Sequence, residues 1–195
     1  MKNERARICV FGASSGRIDQ AYIDAAYELG KLLALSDMDC VNGAGAVGLM
    51  RAVSDGVLDG GGHVTGVIPK FMVDNGWCYD RLLEVIITPD MHERKYQMAE
   101  MTDAVIAMPG GCGTLEELLE AITWRQLGLN TRPIVLLNTL GYYDPLIAML
   151  EHSVSEGFMR SSHTALWTVA STPQEAVDAI KDALTQAPFI AESKY

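Results

Sequence analysis

The sequence is poor in the residues that mark several protein classes. Its four cysteines, Cys9, Cys40, Cys78 and Cys112, show no Cys-x-x-Cys spacing, which argues against a disulfide framework or a zinc ribbon. The histidines His63, His92, His152 and His163 are scattered, so no metal site is expected. No apolar run approaches the roughly 18 residues of a membrane-spanning helix. Positive charge is scarce, with 15 Lys and Arg against 25 Asp and Glu and a formal net charge of −10. That balance excludes an extended nucleic-acid or anionic-membrane surface and leaves room for one small basic pocket. The segment from Met1 to Arg7 leads straight into a strand-like run, so no secretory signal is expected. With its thiols read as reduced, the chain is expected to be cytoplasmic. Internal repeats and low-complexity blocks are absent from the sequence.

What is present is a regular alternation of short apolar runs with helical stretches. The strands expected are Arg7–Gly12, Asp39–Asn42, His63–Ile68, Leu83–Thr88, Ala104–Met108, Ile134–Asn138 and Ala165–Val169. Helices are expected over Asp19–Leu35, Val47–Asp59, Met91–Thr102, Leu115–Gln126, Tyr143–Ser155 and Pro173–Thr185. Runs such as Ile134-Val135-Leu136-Leu137 suit strands buried on both faces. The pattern predicts one α/β domain over residues 1–195, a doubly wound parallel sheet with helices on both faces. Residues 187–195 read as a tail or partner-facing arm. In such sheets ligands sit outside the carboxyl ends of the strands.

Three glycine-rich turns follow predicted strands. Gly12-Ala13-Ser14-Ser15-Gly16 reads equally as a ligand loop or a plain connection. Gly43-Ala44-Gly45-Ala46-Val47-Gly48 matches G-x-G-x-x-G. The next strand ends at Ile68-Pro69-Lys70, without the acidic residue that would hold a ribose. This turn is therefore read as a tight bend with close helix packing, and no dinucleotide cofactor is expected.

The third turn, Met108-Pro109-Gly110-Gly111-Cys112-Gly113, is the most informative. Glycines there let the backbone approach a ligand, and the following helix start directs free N–H groups at an anion. Thr114-Leu115-Glu116-Glu117 also fits a capping box, in which Glu117 satisfies a backbone amide. Both readings stand at this point, and the glycines and proline ahead of the cap favour the ligand site. Cys112 is read as a passive small residue, because no histidine lies near it in sequence.

In the helix over Met91–Thr102, Met91, Met98 and Met101 form a stripe that also holds Arg94. An arginine among core-facing methionines either snorkels outward or serves a ligand or buried carboxylate. Lys95 beside it places two cations near a helix start, where the dipole disfavours them. That placement points to a phosphate or carboxylate partner, with plain solvent exposure as the alternative.

Arg94-Lys95 together with Pro109-Gly110-Gly111-Cys112-Gly113-Thr114-Leu115-Glu116-Glu117 resembles the paired R-K and P-G-G-x-G-T-x-x-E motifs of the LONELY GUY family. Its members are cytokinin riboside 5′-monophosphate phosphoribohydrolases, often mislabelled as lysine decarboxylases. The resemblance runs through nearly the whole chain, including Gly45–Met50, Gly66–Pro69, Ile122–Trp124 and Gly141–Asp144. It implies a Rossmann-like homodimer without a cofactor. It also implies hydrolysis of a purine nucleoside 5′-monophosphate, either N6-prenyl-adenine or adenine, to free base and ribose 5-phosphate. Arg94 and Glu117 would form the catalytic pair. Gly110, Gly111, Cys112, Gly113 and Thr114 would form the phosphate loop, and Lys95 and Thr123 further substrate contacts. The chain departs from the family at Ala44, at Arg51 and over residues 71–79, which bears on base preference. Two other functions are compatible with parts of the pattern. A non-catalytic carrier of a nucleotide-like ligand such as molybdenum cofactor would use the same cradle. A lysine decarboxylase would require a pyridoxal-phosphate lysine, and the sequence singles none out.

Overall fold

The computed structural model describes residues 5–186. Seven strands form one sheet: β1 (Ala6–Phe11), β2 (Met38–Asn42), β3 (Val64–Pro69), β4 (Glu84–Thr88), β5 (Ala104–Ala107), β6 (Ile134–Leu137) and β7 (Thr168–Ala170). Their order is β4-β3-β2-β1-β5-β6-β7, and every pairing is parallel. The helices are α1 (Gln20–Leu35), α2 (Gly48–Asp59), α3 (Lys70–Asp74), α4 (Met91–Glu100), α5 (Cys112–Gln126), α6 (Asp144–Ser155) and α7 (Pro173–Thr185). The strand order reverses between β1 and β5, the switch point at which doubly wound sheets hold their ligands.

Side chains alternate across each strand, so β1 feeds two cores. Ile8 and Val10 join Leu29 and Leu33 of α1, Val53 and Val57 of α2 and Ile180 of α7. Cys9 and Phe11 join Met98 of α4, Leu118 and Ile122 of α5 and Leu150 of α6 on the other face. Both faces are covered, as the continuous apolar strands require. On the first face, α1 and α2 approach closely because Gly30 and Gly56 carry no side chain. A Cβ on Gly30 would overlap the Val53 carbonyl, and one on Gly56 the Tyr27 carbonyl.

The expected elements are present, with three corrections. The last strand lies later than Ala165–Val169: residues Ser161–Leu166 form a 3-10 turn that buries Leu166, and pairing begins at Thr168 opposite Val135. Lys70–Asp74 forms a one-turn helix that the sequence pattern did not announce. Helix α5 starts at Cys112 rather than Leu115, with Gly111 as its N-cap and no side-chain capping bond. The expected arm at 187–195 lies outside the described residues.

Candidate active site

The three glycine turns meet at the carboxyl ends of β1, β2 and β5. The Ala13 amide donates to the Pro109 carbonyl at 3.1 Å, and the Leu49 amide donates to the Ala13 carbonyl at 2.9 Å. The second turn bends through Ala44, whose φ of 55° is left-handed, and its amide is held by Asn42 Oδ1 at 2.9 Å. The 71–79 stretch straps this turn, with Ala46 donating to the Trp77 carbonyl and Tyr79 to the Ala44 carbonyl.

Among the described residues, the amides of Gly110, Gly111, Cys112, Gly113 and Thr114 donate to no protein acceptor. The first intrahelical bond near this end is Leu115 to the Gly111 carbonyl. Such a row of free N–H groups at a helix start favours an anion. Thr114 is buried inside the first turn of α5, where its hydroxyl occupies the space that a Cβ on Gly110 would fill. It does not cap the helix, and Glu117 does not close a capping box.

Glu117 instead meets Arg94. The Nη1 of Arg94 donates to Glu117 Oε1 at 2.6 Å, and its Nε donates to the Val67 carbonyl at 2.9 Å. Both side chains are more than nine-tenths buried, at 7% and 9% exposure. A Cβ on Gly43 would overlap Arg94 Nη2, so the guanidinium lies directly on the bare backbone of the second turn. The methionine stripe is half right as a core reading. Met98 is buried and Met91 and Met101 are partly covered, while Arg94 points from the same side into the site.

Burial pushes the Glu117 carboxyl above its ordinary range, and the opposing pull of Arg94 does not cancel it. The same burial, together with the charge of Glu117, raises the neighbouring Cys9 thiol well above its usual value. Cys9, Lys95, Glu117 and Trp124 line a small cavity between α4 and α5 of about 20 Å³, room for a single water.

Lys95 turns its ammonium to Glu116 and to Glu120, the latter at 3.1 Å, so its anionic partners in this structure are two carboxylates of α5. Its pKa is raised: burial pulls it down, and the bonds from Glu116 and Glu120 outweigh that pull. Thr123 is exposed and donates to the Leu119 carbonyl at 2.7 Å. It stands six residues beyond Glu117, about 9 Å along the helix, and the structure joins it to none of the other candidates. Cys112 is exposed at the first turn of α5.

Several residues with a place in the site carried no role in the sequence reading. Gly43 supports Arg94, Val67 supplies a carbonyl, and Tyr142 and Tyr143 reach the third turn. Tyr143 donates to the Met108 carbonyl at 2.7 Å and Tyr142 to the Gly110 carbonyl at 2.6 Å. The pair Tyr142-Tyr143 lay within the family resemblance, but nothing local to it signals a contact 32 residues upstream.

Fold and site together define a doubly wound α/β protein with an amide cradle and a buried Arg–Glu pair at its switch point. A family model described as "Possible lysine decarboxylase" matches residues 50–180. The chain is 47% identical over 176 residues to the probable cytokinin riboside 5′-monophosphate phosphoribohydrolase LOGL2 of Oryza sativa subsp. japonica, covering 90% of this chain and 72% of that protein. It is 45% identical to the cytokinin riboside 5′-monophosphate phosphoribohydrolase LOG4 of Arabidopsis thaliana, covering 93% and 84% of the two chains. The chain belongs to this family of cytokinin riboside 5′-monophosphate phosphoribohydrolases. Its fold is shared with the molybdenum cofactor binding protein of Rippkaea orientalis, at a TM-score of 0.72 and 24% identity over 94% of this chain and all of that one.

Proposed function

We propose that this protein hydrolyses the N-glycosidic bond of an adenine or N6-prenyl-adenine nucleoside 5′-monophosphate, giving the free base and ribose 5-phosphate. The observation that carries this reading is the buried Arg94–Glu117 pair, set one helical turn from the free amides of Gly110–Thr114. Relatives named for this activity are 45–47% identical over at least 90% of this chain.

The chemistry follows from the arrangement. The 5′-phosphate sits on the loop amides, and this remote binding energy positions the reacting bond. As C1′–N9 breaks, positive charge develops on the ribose, as in glycoside hydrolysis. Ionised Glu117 stabilises that charge and accepts a proton from the attacking water, whose oxygen bonds C1′ while N9 departs with the electron pair and takes a proton from solvent. Glu117 then releases the water's proton to solvent, which closes the balance. A carboxyl with a raised pKa is the better base for this step. Arg94 orients Glu117 through one nitrogen while the Val67 carbonyl fixes another. Lys95 and Thr123 are assigned to the rim of the substrate site. Lys95 would reach substrate after exchanging a carboxylate of α5 for it.

Lysine decarboxylation through an imine is disfavoured by Lys95 itself. Two carboxylates hold its ammonium protonated, the opposite of the depressed pKa that activates an imine-forming lysine. The likeness to the molybdenum-cofactor protein extends to the fold.

We further propose a cytoplasmic homodimer. Exposed Tyr96 on α4, Leu119 on α5, and Leu127 and Leu129 just beyond α5 support a self-association face. Light scattering tests it, and a monomer at micromolar concentration rejects it.

The deciding experiment is a product assay over adenosine, AMP, other purine monophosphates and N6-prenyl-AMP. Base and ribose 5-phosphate in equal amounts, with adenosine a poor substrate, are the expected result. Absence of ribose 5-phosphate from every monophosphate rejects the hydrolase reading.

A further inference from the structure

We infer that Tyr142 is a positioning residue that sets the orientation of the Gly110–Gly111 peptide and so aims the Gly111 amide at the substrate phosphate. The inference rests on the phosphate-loop reading of this turn.

Three successive carbonyls of the loop are tied to donors. Met108 accepts from the Tyr143 hydroxyl at 2.7 Å, Pro109 from the Ala13 amide at 3.1 Å, and Gly110 from the Tyr142 hydroxyl at 2.6 Å. In a trans peptide the C=O and the next N–H point in opposite directions. Holding the Gly110 carbonyl on Tyr142 therefore turns the Gly111 N–H the other way, away from the tyrosine. Glycines have no side chain to fix their own backbone, so without the hydroxyl this peptide plane is free to rotate.

The segment that carries Tyr142 is itself held. Leu140 and Gly141 are both left-handed, with φ of 54° and 72°, a conformation that strains a leucine. Asn138 locks the bend by accepting from the Tyr143 amide at 2.6 Å and donating to Asp144 at 2.7 Å. The Tyr142 ring stands edge-on to Tyr22 of α1 and to Tyr143, with centroids 6.1 and 5.2 Å away. A strained turn tied to three elements is what a fixed hydroxyl needs.

Tyr142→Phe keeps the ring contacts and removes only the hydroxyl, which separates positioning from folding. With AMP or N6-prenyl-AMP as substrate, the variant is expected to raise KM roughly three- to tenfold and to keep kcat within about twofold. The calorimetric Kd for ribose 5-phosphate is expected to rise by the same factor. Tyr27→Phe on α1, which loses a hydroxyl bond to Asp59 at the end of α2, is expected to change neither. A Tyr142→Phe protein with wild-type KM and Kd overturns the proposal. So does one that loses thermal stability and kcat while Kd stays unchanged, the mark of a merely structural role. If the wild type turns over no monophosphate, the hydrolase reading fails, and the ribose 5-phosphate Kd still decides on Tyr142. A wild type that does not bind ribose 5-phosphate overturns the loop assignment and the role of Tyr142 with it.

Discussion

Arg94 Nη1 lies 2.6 Å from Glu117 Oε1, and each of these buried groups is the other's compensation. Two consequences separate the catalytic from the structural side of the pair. Glu117→Gln keeps shape and hydrogen bonding but removes the charge that, in the proposed mechanism, meets the ribose cation. It is expected to lower kcat by about 10²–10⁴-fold while ribose 5-phosphate binds as before. Steady-state kinetics beside calorimetry checks this, and full turnover in the variant refutes the assigned role.

Arg94→Ala leaves a carboxylate buried alone and empties the donor to Val67. A loss of roughly 3–5 kcal/mol is expected, seen as a clear drop in the thermal midpoint. The double variant Arg94→Ala/Glu117→Ala removes both charges and is expected to be more stable than Arg94→Ala. A double variant less stable than the single one contradicts the pairing account.

The pH dependence follows from burial. Glu117 in the folded protein holds its proton above the ordinary value of 4.5, so the folded state binds that proton more tightly than the unfolded chain. Its contribution to stability is complete below 4.5 and is lost as pH rises through the folded value. Relative to Glu117→Gln, the wild type should therefore lose thermal stability as pH rises above 4.5 and through the folded value. The acid limb of kcat/KM should lie above 4.5, because turnover needs the ionised form. A wild-type-minus-variant difference that grows with pH contradicts this direction.

Gly43→Ala places a methyl on Arg94 Nη2. The guanidinium must move, and with it the carboxylate that it orients. A fall in kcat of about 10²-fold is expected, the scale of an ångström-sized misplacement, with about 1–3 kcal/mol of overpacking cost. Activity within twofold of wild type shows that Arg94 has slack at this contact.

The sheet was legible because Ala104–Ala107 and Ile134–Leu137 are continuous apolar runs, which only a strand covered on both faces accommodates. Arg94 was legible as an anomaly within a methionine stripe. Local pattern misled where glycine or distant partners decided the outcome. Gly110 and Gly111 let α5 begin at Cys112, so Thr114-Leu115-Glu116-Glu117, which has the spelling of a cap, lies inside the helix. Lys95 was rightly read as a cation needing an anionic partner. Its carboxylates sit 21 and 25 residues away on another helix, beyond the reach of any local rule. The hydroxyl of Tyr142 was hidden for the same reason.

The tied carbonyls of Met108, Pro109 and Gly110 fix when the loop gives up its freedom. Ordering a residue costs about 1–2 kcal/mol of backbone entropy, and here folding has already met that cost. On the proposed phosphate-loop reading, an incoming phosphate therefore meets a finished surface, and its binding is a search for orientation rather than a local folding event. The free amides of Gly110 and Gly111 should therefore exchange quickly in the unliganded protein and gain protection when ribose 5-phosphate accepts them, while the bonded Met108 amide is protected in both states.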